Sequence, residues 1–200
     1  MQRTGVILVA SAVLVVAVIA VVLAQPSVPY PRLVEKLLSP SDVPSTWQAQ
    51  SFQQVTRGTG CLATIMRPKG FQQTGQANVV YINSGSVPPE VGEAIATFRD
   101  TAGAFAKIIS SLQSCKFING GNPNLTGIYG TVSSFSTPGY GDLSKAFEAS
   151  VTAPAVPVTL TDDIVVIKKN HYILEIFETN LGKVNMHQFE GFIAKALTKI

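Results

Sequence analysis

Ile164-Val-Val-Ile-Lys-Lys-Asn-His-Tyr-Ile-Leu-Glu-Ile-Phe-Glu178 is the stretch on which the fold turns. Ile164 to Lys168 and Tyr172 to Glu178 are apolar runs of strand length, rich in β-branched and aromatic residues. Between them stands Lys169-Asn170-His171, a short polar link in which an asparagine tolerates a left-handed backbone. Strands joined so closely pair antiparallel, as a hairpin. Two similar runs precede it, Ile128 to Phe135 and Ala146 to Thr152, separated by the loop Pro138-Gly139-Tyr140-Gly141-Asp142. Further back, Ala77 to Asn83 and Trp47 to Val55 also read as strands. The expectation is an antiparallel sheet of about five to six strands with helices packed on one face, an α+β domain.

The helices are read from spacing. Val91, Ile95, Phe98, Ala102, Phe105, Ile109 and Leu112 recur at steps of three and four. That spacing predicts one long amphipathic helix over residues 88 to 115. Pro88 and Pro89 suit its first turn, and Glu90 and Glu93 suit the positive end of its dipole. Cys115 then falls at or near its C-terminal end. Leu33 to Leu38 reads as a short helix stopped by Pro40 and Pro44. Met186, Phe189, Ile193, Ala196 and Ile200 mark a closing helix, with Asn185 and Gln188 as its capping pair.

The N-terminus sets the compartment. Gly5 to Ala24 is a run of 20 residues with no charge and one weak polar group, Ser11. At about 1.5 Å per residue it spans roughly 30 Å, the thickness of a bilayer's hydrocarbon core. Residues 1–24 are therefore a transmembrane anchor or a signal sequence. Arg3 and Val22-Leu23-Ala24 also suit a cleaved signal, although the apolar run is long for one. Residues 25–32 form a Pro-rich spacer, extended and semi-rigid, and residues 33–200 form the extracytoplasmic domain. If the N-terminus is retained, the protein is single-pass in the cell membrane with its domain outside. If it is cleaved, the protein is secreted.

The chain has 200 residues and a net charge of +3, of which Arg3 contributes one, leaving +2 outside the span. That balance excludes nucleic-acid binding through a clustered basic footprint and gives no strong pull toward anionic lipid heads. Cys61 and Cys115 are the two cysteines. In an exported protein such a pair reads as a disulfide. The loop it closes would stabilise the fold by roughly 4 kcal/mol in the chain-entropy model.

Groups for catalysis are few. The two histidines, His171 and His187, fall in the hairpin turn and on the closing helix. His187 and Glu190 have ligand spacing but no second pair to complete a metal site. No nucleophile elbow or phosphate loop is present. Asp162-Asp163 reads as a solvated loop, and Glu175 and Glu178 read as strand alternation or a strand end. No enzyme activity, metal or cofactor is expected. Tyr140 is the aromatic placed on a loop where recognition residues often sit, and it is the candidate ligand contact.

Several pieces stand in a recognisable order: the N-terminal span, LLSPSDVPSTW at Leu37 to Trp47, Cys61 in an early loop, AFAKIISSLQSC ending at Cys115, GYGD at Gly139 to Asp142, and a closing hairpin plus helix. This order resembles the extracytoplasmic sensor domain of mycobacterial PknH-type serine/threonine kinases and of stand-alone actinobacterial membrane proteins. The resemblance covers roughly residues 33–199. It implies an antiparallel sheet flanked by helices, with a cleft for a small ligand in the cell envelope. Kinase-linked domains of this type carry two disulfides, whereas this chain has one cysteine pair. The expected function is a non-enzymatic sensor-like domain, anchored through residues 5–24, that binds a small or lipidic ligand. The alternative is an accessory subunit held by other envelope or membrane proteins.

Overall fold

The structure is a computed structural model that describes residues 31–50, 66–83, 89–115, 129–153 and 156–200. Residues 1–30 lie outside these, so the structure does not bear on the span or on most of the spacer. Among the described residues no helix is long and apolar enough to cross a membrane. Cys61 also lies outside them, as do residues 51–65 and 116–128.

The hairpin forms as its turn chemistry dictates. Strands β6 (Val156–Lys169) and β7 (Tyr172–Leu181) pair antiparallel, with Lys169 opposite Tyr172. Asn170 takes the left-handed conformation at φ 55°. The remaining strands are β1 (Trp47–Gln50), β2 (Gln73–Asn83), β3 (Glu90–Phe98), β4 (Tyr129–Phe135) and β5 (Leu143–Ala153). All pairings are antiparallel, in the order β1-β2-β3-β7-β6-β5-β4. The architecture is α+β as expected, but with seven strands among the described residues rather than five to six.

The extra strand comes from the region read as one long helix. Residues 90–98 are β3, and only Thr101–Gln113 is helical. β3 lies between β2 and β7 with both faces covered, so every residue from Glu90 to Ala96 is buried. A strand buried on both faces loses its two-residue alternation. Chance steps of three and four among its apolar residues then imitate a helix. The helix begins where its capping chemistry begins. Asp100 accepts from the Gly103 backbone N–H at 2.9 Å, and so satisfies an otherwise free donor.

The helices also lie on both faces of the sheet, not on one. We number them α1 (Pro31–Val34), α2 (Thr101–Gln113) and α3 (Met186–Leu197). Phe105, Ile108 and Leu112 of α2 pack with Ala94, Phe98, Ile173 and Phe177. Phe189, Phe192 and Ile193 of α3 pack with Val91, Ile95, Leu174 and Ile176, joined by Leu33, Leu37 and Leu38 from the α1 segment. Residues of one strand alternate between these two clusters, which places the clusters on opposite faces. Trp47 closes the α3-side core, its ring 5.7 Å from that of Phe192. Cys115 follows directly on α2, with its N–H donating to Leu112 O at 3.1 Å, and it is buried in the α2-side core.

Candidate functional site

The three central strands carry six buried carboxyl groups. β3 contains Glu90-Val-Gly-Glu93 and β7 contains Glu175-Ile-Phe-Glu178. Two residues three apart on a strand point to opposite faces, so each strand presents one carboxyl to each core. The adjacent Asp162 and Asp163 of β6 do the same. The register sets them in rows: Glu90 and Asp162 flank Thr179, and Asp163 lies directly opposite Glu178. The α2 face thus holds Glu90, Asp162 and Glu175, and the α3 face holds Glu93, Asp163 and Glu178. All six are at most 6% exposed. Asp162-Asp163 is therefore not a solvated loop, and Glu90 and Glu93 do not start a helix. Glu175 and Glu178 do not follow an in-and-out alternation either, because β7 is buried on both sides.

These groups find few partners. Thr179 Oγ1 donates to Asp162 Oδ1 at 3.1 Å, and the Leu38 backbone N–H donates to Glu93 Oε2. Both oxygens of Glu90 and of Glu178, and one each of Glu93, Asp163 and Glu175, have no hydrogen-bond partner among the described residues. The ion pairs among those residues are Lys168–Asp142 and Lys199–Asp42, which involve none of the six. An unpaired carboxylate in an apolar interior is far costlier than its neutral acid. Burial accordingly pushes Glu175 up to about 8, and Glu90 and Glu93 up to about 7. Burial, and then the charge of Asp163, pushes Glu178 up to about 7. Asp163 rises to about 6 through burial and then Glu148, and Asp162 is raised well above the usual range by burial and then by Glu90. Burial thus lifts all six carboxyls above the ordinary carboxyl range.

Divided between two faces, the carboxyls do not converge on a point, and no group of three or more ligands among the described residues could hold a metal ion. His171 is exposed in the hairpin turn, its ring 4.0 Å from that of Tyr172. His187 is exposed on α3. Neither is placed with the carboxyls.

Tyr140 is not an exposed loop aromatic. It is half-buried against the α3-side core, its backbone N–H donates to Ser144 Oγ at 3.0 Å, and its buried hydroxyl has no partner among the described residues. Burial, and then the charge of Glu190, raises its pKa. A free hydroxyl on a side chain otherwise packed in core is the feature a ligand could complete. The carboxyl groups were the larger omission of the sequence reading. Their signal was the three-residue spacing of glutamates inside apolar runs, which a half-buried strand does not tolerate.

No family model matches the sequence, and no curated protein matches it. Solved structures do. The extracellular domain of PknH from Mycobacterium tuberculosis superposes with a TM-score of 0.55 at 14% identity, covering 88% of this chain and 98% of that one. An uncharacterised protein from Mycobacterium smegmatis matches with a TM-score of 0.45 at 12% identity, covering 80% of this chain and 93% of that one.

Proposed function

From a fold shared with the extracellular domain of a mycobacterial kinase, we propose that this protein is a non-enzymatic extracytoplasmic sensor-like domain that binds a small or lipidic ligand in the cell envelope. The fold likeness is the observation that carries the reading. Residues 1–24 serve as its anchor, residues 25–32 as a spacer and residues 33–200 as the sensing domain. The Cys61–Cys115 bond would tie the end of α2 to the early loop. Placement supports the non-enzymatic reading: the carboxyls that titrate near neutrality are sealed inside the sheet, where no substrate reaches them without opening the core. Tyr140 is the proposed contact, because it lies half-buried on the loop before β5 and its hydroxyl has no partner among the described residues, so a ligand that shifts this loop gains a hydrogen bond there.

The test is native mass spectrometry of the full-length protein extracted in mild detergent from its own membrane. A small molecule or lipid retained near one per chain, and released by Tyr140→Phe, supports the reading. A stoichiometric protein partner with no small molecule would instead assign the chain as an accessory subunit. Turnover of ester, glycoside, amide or phosphate substrates that follows the purified chain would overturn the non-enzymatic assignment.

A further inference from the structure

Modest net charge conceals an uneven distribution. At the hairpin end of the sheet, four lysines gather around the C-terminus of α3. Lys36 Nζ donates to Lys199 O at 3.0 Å and stands 5.2 Å from the centre of the Tyr172 ring. Lys169 Nζ donates to Leu197 O at 2.8 Å, and Lys199 Nζ donates to Leu37 O at 2.8 Å. Lys195 Nζ donates to Asp42 O. The bonds from Lys36 and Lys169 satisfy carbonyls at the end of α3 and suit the negative end of its dipole, while those from Lys199 and Lys195 tie that end to the segment after α1. They do not cancel charge. Of the four, only Lys199 has a carboxylate, Asp42, in an ion pair among the described residues. Burial raises Asp42, but the hydrogen bonds from Lys199 and Ser39 outweigh it and hold the carboxyl down at about 2, so that pair stays ionised. With exposed Arg32 and with Lys168 of the hairpin, six cations face three carboxylates, Glu35, Asp42 and Asp142, a surplus of three where everything beyond the span sums to +2.

The same end is where the chain leaves the domain. α1 begins at Pro31, and Lys36 ties the segment after it to the end of α3. Seven peptide steps separate Ala24 from Pro31, a reach of at most about 25 Å. A retained anchor would therefore keep Pro31 within about 25 Å of the bilayer. We propose that the basic end of the domain docks on anionic lipid headgroups of the membrane that carries the anchor. This inference rests on residues 1–24 being retained as that anchor. At physiological salt charges act over only about 8 Å, so the lysines contribute when the domain lies down on the surface. Each basic side chain at an anionic surface then favours the docked state by about fivefold. Docking would fix the domain's orientation and hold α3 and the hairpin at the headgroup level.

The full-length protein is reconstituted into nanodiscs of phosphatidylcholine alone, or of an equal mixture with phosphatidylglycerol. Lysine acetylation rates are then read by mass spectrometry. Lys36, Lys169 and Lys195 should be acetylated about fivefold more slowly in the anionic discs, with high salt restoring the rate, while Lys107 on α2 is unchanged. The double variant Lys169→Gln/Lys195→Gln removes two cations from the surface and should restore the rate at Lys36. Equal rates in the two disc compositions, or slowing that persists in high salt, overturns the docking while leaving the anchor in place. A chain that fails to incorporate into either disc overturns the anchor and the docking together.

Discussion

Replacing Glu175 with glutamine should make the protein more stable at neutral pH and leave it nearly unchanged in acid. Glu175 sits on β7 between Ala94 of β3 and Val166 of β6, is 1% exposed, and has one oxygen without a partner among the described residues. Burial lifts its carboxyl from an ordinary 4.5 to about 8. The sign follows from linkage. Below pH 4.5 the group is protonated in both states and folding loses nothing. As pH rises from 4.5 toward 8 the unfolded chain releases the proton while the folded chain keeps it, so stability falls through that window. At 1.36 kcal/mol per unit, the loss at pH 7.5 is on the order of 4 kcal/mol. Glutamine has nearly the same shape and does not titrate, so it escapes that loss. With a denaturant slope near 2 kcal/mol/M, the urea midpoint at pH 7.5 should rise by roughly 2 M. At pH 4.5 parent and variant should unfold together, within about 1 kcal/mol. Trp47 is the single tryptophan, buried beside Phe192, and its fluorescence reports the transition in a fragment beginning at Pro31. An equal gain at both pH values, or no gain at pH 7.5, would show that Glu175 is not held protonated and would refute the account of the carboxyl set.

Three further outcomes are expected. A methyl group on Gly92 would lie 2.1 Å from the Phe177 ring, so Gly92→Ala should destabilise by at least about 1–3 kcal/mol. Chemical denaturation should show part of that loss recovered by adding Phe177→Leu, and strict additivity would remove the clash as the cause. Phe98→Ala and Phe105→Ala should each cost about 3–5 kcal/mol. The two share the α2-side core, so the double variant should cost less than the sum, and a loss under about 1 kcal/mol for either would show that the face is wrongly placed. Thiol labelling of denatured, unreduced protein should find neither Cys61 nor Cys115 free, whereas labelling of both would refute the bond and the outside location of the domain.

Local chemistry made much of this protein legible from its residues. Lys169-Asn170-His171 specified a hairpin because the turn is built from neighbours in sequence, and Asn170 takes the left-handed conformation its side chain tolerates. The closing helix was readable for the same reason. Phe189, Ile193 and Ala196 face the core, and the Asn185 side chain accepts from the Gln188 N–H at 3.4 Å. The α+β class followed from strand runs with short links. Tertiary structure decided what depends on distant segments. β7 lies between β6, its neighbour in sequence, and β3, which ends 74 residues before β7 begins. That insertion makes β3 a central strand whose two faces are covered by α2 and α3, and an apparent helix becomes a strand. It also places α2 and α3 on opposite faces, and it buries six carboxyls whose sequence positions suit a helix start, a loop or a strand edge. Propensity and spacing act over a few residues, whereas burial is set by whichever segments share the sheet. A carboxyl's protonation follows burial, so the property that most distinguishes this fold became visible only once the strands were assembled.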